Sequence, residues 1–139
     1  MAYITIPDYL CFVITRHDPV GKKVEDAVKQ ALKGTGVEVY SPSKIAAGAA
    51  ISDSIATALR RADVVLFDIS EATPNMMFEV GFAMGRGVPI LLLIDLGSSP
   101  RLPSDLRGVQ FLVYDTRDLR PFMAFIRRLV PTLAKSTRG

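Results

Sequence analysis

Short apolar runs alternate along this chain with longer stretches whose apolar residues recur at helical spacing. The runs are rich in Val, Ile, Leu and Phe, and they are apolar almost throughout rather than at every second position. Strands of that kind are typical of a parallel sheet whose two faces are both covered by helices. We predict five strands, at residues 10–15, 37–40, 63–69, 88–95 and 109–114. The helical spacing predicts helices at residues 20–33, 52–61, 73–86 and 118–133.

This order of elements predicts an α/β fold with three layers. Right-handed crossovers favour a flavodoxin-like sandwich with a five-stranded parallel sheet in the order 2-1-3-4-5 and helices on both faces. The 139 residues suffice for one domain, and we expect residues 1–8 to form an N-terminal arm and residues 134–139 a frayed tail. In such sheets, ligands bind beyond the carboxyl ends of the strands, at the switch between strands 1 and 3.

Composition excludes several classes of function. A single Cys and a single His make a disulfide framework or a His/Cys metal site untenable. The formal net charge of +3 is too small to indicate a nucleic-acid partner. The longest apolar run, Val88–Ile94, contains Pro89 and is too short to cross a bilayer. We therefore expect a cytoplasmic protein with no membrane or nucleic-acid partner.

Polar residues follow the first and third predicted strands, where a ligand is expected. Thr15 and Arg16 follow the first strand, and Arg16 is either a contact for a substrate phosphate or part of a solvated loop. Asp68 and Ser70 follow the third strand, and Asp68 either binds a ribose hydroxyl or forms the turn after the strand. No Walker A or G-x-G-x-x-G pattern is present to cradle phosphates.

The helix after the third strand carries a glutamate in a position suited to catalysis. Thr73 and Pro74 are typical of a helix start, and Glu79 lies less than two turns further on. The partial positive charge at the helix start should favour ionised Glu79. A carboxylate at this cleft can attack or electrostatically stabilise an electron-poor sugar carbon, as glycosidic cleavage requires. The alternative is an ordinary surface glutamate.

Two neighbours of Glu79 are candidate substrate contacts. Asn75 can position a substrate hydroxyl, or it can satisfy free backbone N–H groups in the first helical turn. Phe78 belongs to an apolar group of Met and Phe residues around Glu79. Most of that group should pack in the core, although one or two members could stack on a base.

Three segments together resemble the nucleoside 2-deoxyribosyltransferase superfamily. They are the A-D-V-V strand from Ala62, the helix segment Asn75–Ala83, and the Gly87-Val-Pro entry to the next strand. That superfamily includes nucleoside-monophosphate N-glycosidases and, more distantly, TIR-like domains that cleave NAD. The resemblance runs from about Leu10 to Asp115, and its one mild departure in the helix motif is Val80 in place of Leu.

The resemblance implies a function and a site. It implies cleavage of the N-glycosidic bond of a nucleoside, nucleotide or NAD, without a metal or cofactor, by a homo-oligomer. By analogy, Glu79 matches the catalytic glutamate. Residues that would line the substrate are Thr15, Arg16, Asp68, Ser70, Asn75 and Phe78.

One departure from the family pattern bears on the substrate. The acidic residue that usually precedes the A-D strand by about two helical turns falls on Ile55 here, and the nearest carboxylate is Asp53. An adenine or pyrimidine leaving group needs a proton, which Asp53 or Asp68 could supply, whereas nicotinamide leaves from a cationic ring and needs none. Three hypotheses follow: a nucleoside or nucleotide N-glycosidase or transferase, a TIR-like NAD nucleosidase, and a non-catalytic nucleotide-sensing or interaction domain.

Overall fold

All five predicted strands are present in the computed structural model, which describes residues 8–41, 57, 59–98 and 109–136. The strands are β1 (Tyr9–Ile14), β2 (Val37–Tyr40), β3 (Val64–Asp68), β4 (Ile90–Asp95) and β5 (Phe111–Tyr114). Within the described residues, the complete helices are α1 (Pro19–Leu32), α2 (Pro74–Arg86) and α3 (Arg120–Ser136). Residues 57 and 59–61 are also helical, and they belong to the helix predicted at 52–61. Residues 52–56 and 58 lie outside the described residues.

The strands form one sheet in the order β2-β1-β3-β4-β5, and every neighbouring pair is parallel. Helices lie on both faces of this sheet. The predicted three-layer α/β fold is therefore confirmed. Strand β3 is buried along its whole length because it lies between β1 and β4 and is covered on both faces.

Alternate residues of each strand enter two separate cores. Cys11 and Val13 of β1 pack with the apolar faces of α1 and α3, whereas Phe12 and Ile14 pack with α2. The alternation follows from the pleat of a strand, which directs successive side chains to opposite faces. Cys11 is fully buried, and burial raises the pKa of its thiol.

The ends of α2 match their sequence signals. The Thr73 hydroxyl accepts a hydrogen bond from the Met76 amide at 3.2 Å, and Pro74 occupies the first helical position. Gly87 ends the helix with a positive φ of 74°, which glycine adopts without steric cost. The predicted start and end of this helix are both confirmed.

Several element boundaries differ from the prediction by one to three residues, and two of the differences have a clear physical reason. Strand β4 begins at Ile90 rather than at residue 88. Its neighbour Pro89 has no N–H for the ladder, although its carbonyl accepts from the Val65 amide at 3.0 Å. Helix α3 continues to Ser136, beyond the predicted end at residue 133, because Ala134 is fully buried against the sheet core. Of the predicted frayed tail, residues 137–139 lie outside the described residues.

In the part of the chain that the structure describes, no helix combines the length and the apolar character needed to cross a bilayer.

Candidate active site

The carboxyl ends of the parallel strands bring together polar residues from four strands. Thr15 and Arg16 follow β1, Asp68 ends β3, Asp95 ends β4 and Tyr114 ends β5. These residues share one edge of the sheet because all the strands run in the same direction. The predicted convergence of Thr15, Arg16 and Asp68 at one edge is therefore observed.

Asp68 is buried at this edge, and both of its carboxylate oxygens accept hydrogen bonds. It is 1% exposed. Its Oδ1 accepts from the Ser70 amide at 3.0 Å and from the Ser70 hydroxyl at 2.6 Å. Its Oδ2 accepts from the Tyr114 hydroxyl at 2.6 Å. The structure thus gives Asp68 the turn-forming contacts that were one of its two sequence interpretations. Its contact with a ribose stays a prediction.

Ser70 extends these contacts to the neighbouring strand. Its hydroxyl oxygen accepts a hydrogen bond from the Asp95 amide at 2.8 Å while its hydrogen is directed to Asp68. Ser70 is 9% exposed, and its hydroxyl is both donor and acceptor within the protein. The predicted role of Ser70 in substrate binding is not tested by these contacts, which join the end of β3 to the end of β4.

Tyr114 is the residue at this edge that sequence reasoning missed. It is 1% exposed, its ring lies 5.7 Å from the ring of Phe122, and its hydroxyl donates to Asp68. Burial, followed by the hydrogen bond to Asp68, raises the pKa of its phenol well above the ordinary value, so that it remains a donor. A hydroxyl-bearing aromatic as the last residue of a buried strand was the available signal, because such a hydroxyl needs a partner.

Arg16 lies between two carboxylates. Its Nε is 3.3 Å from Oδ2 of Asp18, and its Nη2 is 3.8 Å from Oδ2 of Asp95. The Arg16 side chain is 16% exposed, and Asp18 also caps α1 by accepting from the Gly21 amide at 2.8 Å. Arg16 is therefore neither a solvated loop residue nor a cation without a counter-charge. The preceding residue, Thr15, is 7% exposed.

Glu79 is buried in the second turn of α2. It is 9% exposed, and among the described residues none donates a hydrogen bond to its carboxylate or forms an ion pair with it. Burial raises the pKa of Glu79 because desolvation penalises the charged form. The sequence led us to expect the opposite direction. That expectation was wrong because the field of a helix start is strong only in the first turn, and Glu79 is the sixth helical residue.

Asn75 and Phe78 lie on the same helix as Glu79 and are both exposed. Asn75 precedes Glu79 by one helical turn, so the two side chains lie on neighbouring positions of one face. Thr73 already caps the helix, and among the described residues none is hydrogen-bonded to the Asn75 side chain. Phe78 is 61% exposed, so its ring is not packed in the core. Most of the Met and Phe residues around Glu79 were predicted to pack there.

One predicted catalytic residue cannot be located. Asp53, the predicted acid, lies outside the described residues.

Within the described ranges, no group of three or more His, Cys, Asp and Glu side chains is placed to hold a metal ion. A groove of about 450 Å³ lies at the opposite edge of the sheet, between the end of α1 and the start of β2, and is lined by residues such as Lys29, Lys33 and Glu38. It contains none of the predicted site residues.

Comparison with known proteins places these features in a family. The family model for nucleoside 2-deoxyribosyltransferase matches residues 9–107, which is more than half of the chain. The matched range includes β1, β3, α2 and β4, and it ends before β5 and Tyr114. No curated protein matches the chain. This match shows that the chain belongs to the nucleoside 2-deoxyribosyltransferase family.

Proposed function

We propose that this protein cleaves the N-glycosidic bond of a nucleoside and that Glu79 is the carboxylate that acts on the sugar. Membership of the family supports chemistry at the bond between base and sugar. The observation that carries the assignment to Glu79 is its burial without a hydrogen-bond or ion-pair partner among the described residues. Partial burial of a carboxyl group without such a partner favours its neutral form, and groups whose pKa is shifted in this way cluster at functional sites.

The proposed reaction uses the negative charge of Glu79 at the anomeric carbon of the sugar. As the bond between this carbon and the base nitrogen breaks, its electron pair leaves with the base, and the carbon becomes positively charged. Glu79 either forms a bond to that carbon or stabilises its charge. Water or a second base then bonds to the carbon, displacing Glu79 where it had bonded, and loses a proton to solvent or to a carboxylate. The low local dielectric around a buried carboxylate strengthens its attraction to the developing cation.

The leaving base needs a proton unless it departs from a cationic ring. We propose Asp53 as the donor for a neutral base, because it is the carboxylate nearest the position where the family places its acid. NAD differs as a substrate because nicotinamide needs no proton when it leaves. The identity of the released base therefore indicates whether Asp53 is needed as a proton donor.

The contacts to the rest of the substrate are part of the same proposal. Exposed Phe78 offers a ring for stacking on the base, and exposed Asn75 offers an amide for a sugar hydroxyl one turn from Glu79. Thr15 and Arg16 would contact the substrate from the end of β1. We also propose a homo-oligomer on the family precedent, and sedimentation velocity of the purified protein tests this part independently of activity.

A substrate panel distinguishes the hypotheses. The protein is incubated separately with each 2′-deoxynucleoside, the corresponding 5′-monophosphates and NAD, and free base is measured by chromatography. We expect release of a purine or pyrimidine base from at least one nucleoside. Release of nicotinamide alone would replace this proposal with an NAD nucleosidase. No release from any substrate, combined with ligand-induced thermal stabilisation, would indicate a non-catalytic nucleotide-binding domain.

A further inference from the structure

Hydrogen bonds from three strands, β3, β4 and β5, fix the turn that leads from β3 into α2. Within it, the Ile69 amide donates to the Leu93 carbonyl of β4 at 2.9 Å, and the Ala72 amide donates back to the Ile69 carbonyl at 3.0 Å. Ser70 is fixed by Asp68 on one side and by the Asp95 amide on the other. This turn ends at Thr73, which caps the helix that carries Glu79.

The same turn contains a backbone conformation that its residue does not favour. Ala72 has a φ of +47°, the left-handed region in which the Cβ of an L-residue approaches its own backbone. Among the described non-glycine residues, Ala72 is the one with positive φ. Such a conformation persists when surrounding contacts dictate it. Here those contacts are the hydrogen bonds of Ile69, Ser70 and Asp68.

Tyr114 completes this arrangement from the last strand of the sheet. Asp68 uses Oδ1 for both hydrogen bonds to Ser70, so the Tyr114 hydroxyl on Oδ2 fixes the rotation of the carboxylate. Tyr114 is itself held by burial and by the adjacent ring of Phe122. A rigid donor therefore reaches the turn across β4, from a residue beyond the range matched by the family model.

We infer that Tyr114 is a positioning residue for Glu79. Its hydroxyl sets the orientation of Asp68, Asp68 sets the turn through Ser70, and the turn sets where α2 begins and where its glutamate lies. Its effect on catalysis rests on the proposed function, whereas its effect on the turn does not. Tyr114 touches no reacting atom in this scheme, so its loss should slow the chemical step and leave substrate affinity nearly unchanged.

The first test is kinetic and uses Tyr114→Phe, which removes the hydroxyl and keeps the ring. We expect kcat to fall about tenfold or more while KM changes less than about twofold. Arg127→Ala is the control for general destabilisation. It removes hydrogen bonds to the carbonyls of Ala31 and Lys33 at the end of α1, away from the strand ends. Equal fractional losses of kcat in the two variants would overturn the inference.

A double-mutant cycle tests whether Tyr114 acts through Asp68. If it does, Asp68→Asn lowers kcat comparably, and adding Tyr114→Phe to that variant produces little further loss. Additive losses would show that the tyrosine acts by another route and would overturn the inference.

Amide hydrogen exchange separates this inference from the proposed function. In Tyr114→Phe, we expect faster exchange at the Ser70, Ala72 and Met76 amides and unchanged exchange at Leu92 in the sheet. That result in an enzyme without detectable base release would support the positioning contact while rejecting the proposed function. Unchanged exchange at all of these amides would overturn the inference whether or not the protein is active.

Discussion

The hydroxyl of Tyr114 lies 2.6 Å from Oδ2 of Asp68, and this contact joins the edge strand β5 to the central strand β3 across β4. Both residues are 1% exposed, so the hydrogen bond forms away from water and connects a neutral donor to a carboxylate. Bonds of this kind stabilise more than neutral pairs, and a buried partner left without one is costly. The end of the sheet is therefore a fixed platform for the turn into α2.

Loss of this hydrogen bond should be visible in stability alone. We expect Tyr114→Phe to lower the free energy of unfolding by about 1.5–3 kcal/mol, the range for a hydrogen bond to a charged group. Urea denaturation measures the difference. Tyr40→Phe is the matched control, because Tyr40 is 37% exposed and its ring remains stacked 5.5 Å from Phe12. A loss in Tyr114→Phe no larger than that in the control would contradict the structure.

Glu79 should make stability depend on pH in a defined direction. Burial raises its pKa in the folded protein, so the folded state binds more protons than the unfolded state between the two pKa values. The contribution of Glu79 to the free energy of unfolding is therefore largest below its pKa in the unfolded chain. It is lost as the pH rises through its higher pKa in the folded protein. We expect Glu79→Gln to be more stable than the wild type at pH 7, with the difference disappearing near pH 4.

Thermal unfolding at a series of pH values measures this effect. The control is Glu38→Gln, which changes an exposed glutamate on β2 at the other edge of the sheet. A Glu79→Gln variant that is less stable than the wild type at pH 7 would mean that the carboxylate has a favourable partner in the folded protein, and the interpretation of Glu79 would then need revision.

Ala72 offers a stabilising substitution. Its φ of +47° is strained for alanine and accessible to glycine, so Ala72→Gly should raise the free energy of unfolding by about 0.5–1 kcal/mol. Ala83→Gly is the opposite case, because Ala83 is fully buried in α2. There the same change should destabilise by about 1 kcal/mol or more. Destabilisation of both variants in urea would show that Ala72 is not strained.

Arg16 permits a test of phosphate recognition. Since Asp18 and Asp95 already flank its guanidinium, we expect Arg16→Ala to lower kcat/KM similarly for a deoxynucleoside and for its 5′-monophosphate. The ratio of the two kcat/KM values should stay within about twofold of the wild-type ratio. Parallel initial rates on the two substrates measure it. A selective loss of tenfold or more on the monophosphate, about 1.4 kcal/mol, would instead assign Arg16 to the substrate phosphate.

The strands and their order could be predicted because a fully covered parallel sheet leaves an unmistakable apolar pattern. Runs such as Leu91–Leu93 are buried on both faces, and the helix signals at Thr73 and Gly87 are local. Boundaries were less predictable where backbone chemistry intervenes, as at Pro89, or where burial extends a helix, as at Ala134. At Pro89 the missing N–H decides where the strand begins, whereas at Ala134 packing against the sheet decides where the helix ends.

The chemistry of the site was less accessible from sequence. Tyr114 and Asp68 are separated by 46 residues, so nothing local to either predicts their hydrogen bond. The pKa of Glu79 depends on its burial, which the sequence does not reveal. From the sequence alone, the partial positive charge of the helix start was expected to be the larger effect. The position of Asp68 at a strand end was predictable, whereas the donors that occupy its oxygens depend on the strand order and the turn.

The proposed cleavage of the N-glycosidic bond depends on the carboxylate of Glu79. The most direct measurement is the rate of base release by the wild type, Glu79→Gln and Glu38→Gln on the nucleoside that the panel identifies as substrate. Glutamine keeps the shape of the side chain but removes its charge. We expect the rate to fall by a factor on the order of 10²–10³ or more in Glu79→Gln and to remain unchanged in Glu38→Gln. Base release that persists at the wild-type rate in Glu79→Gln would show that Glu79 is not the carboxylate that acts on the sugar.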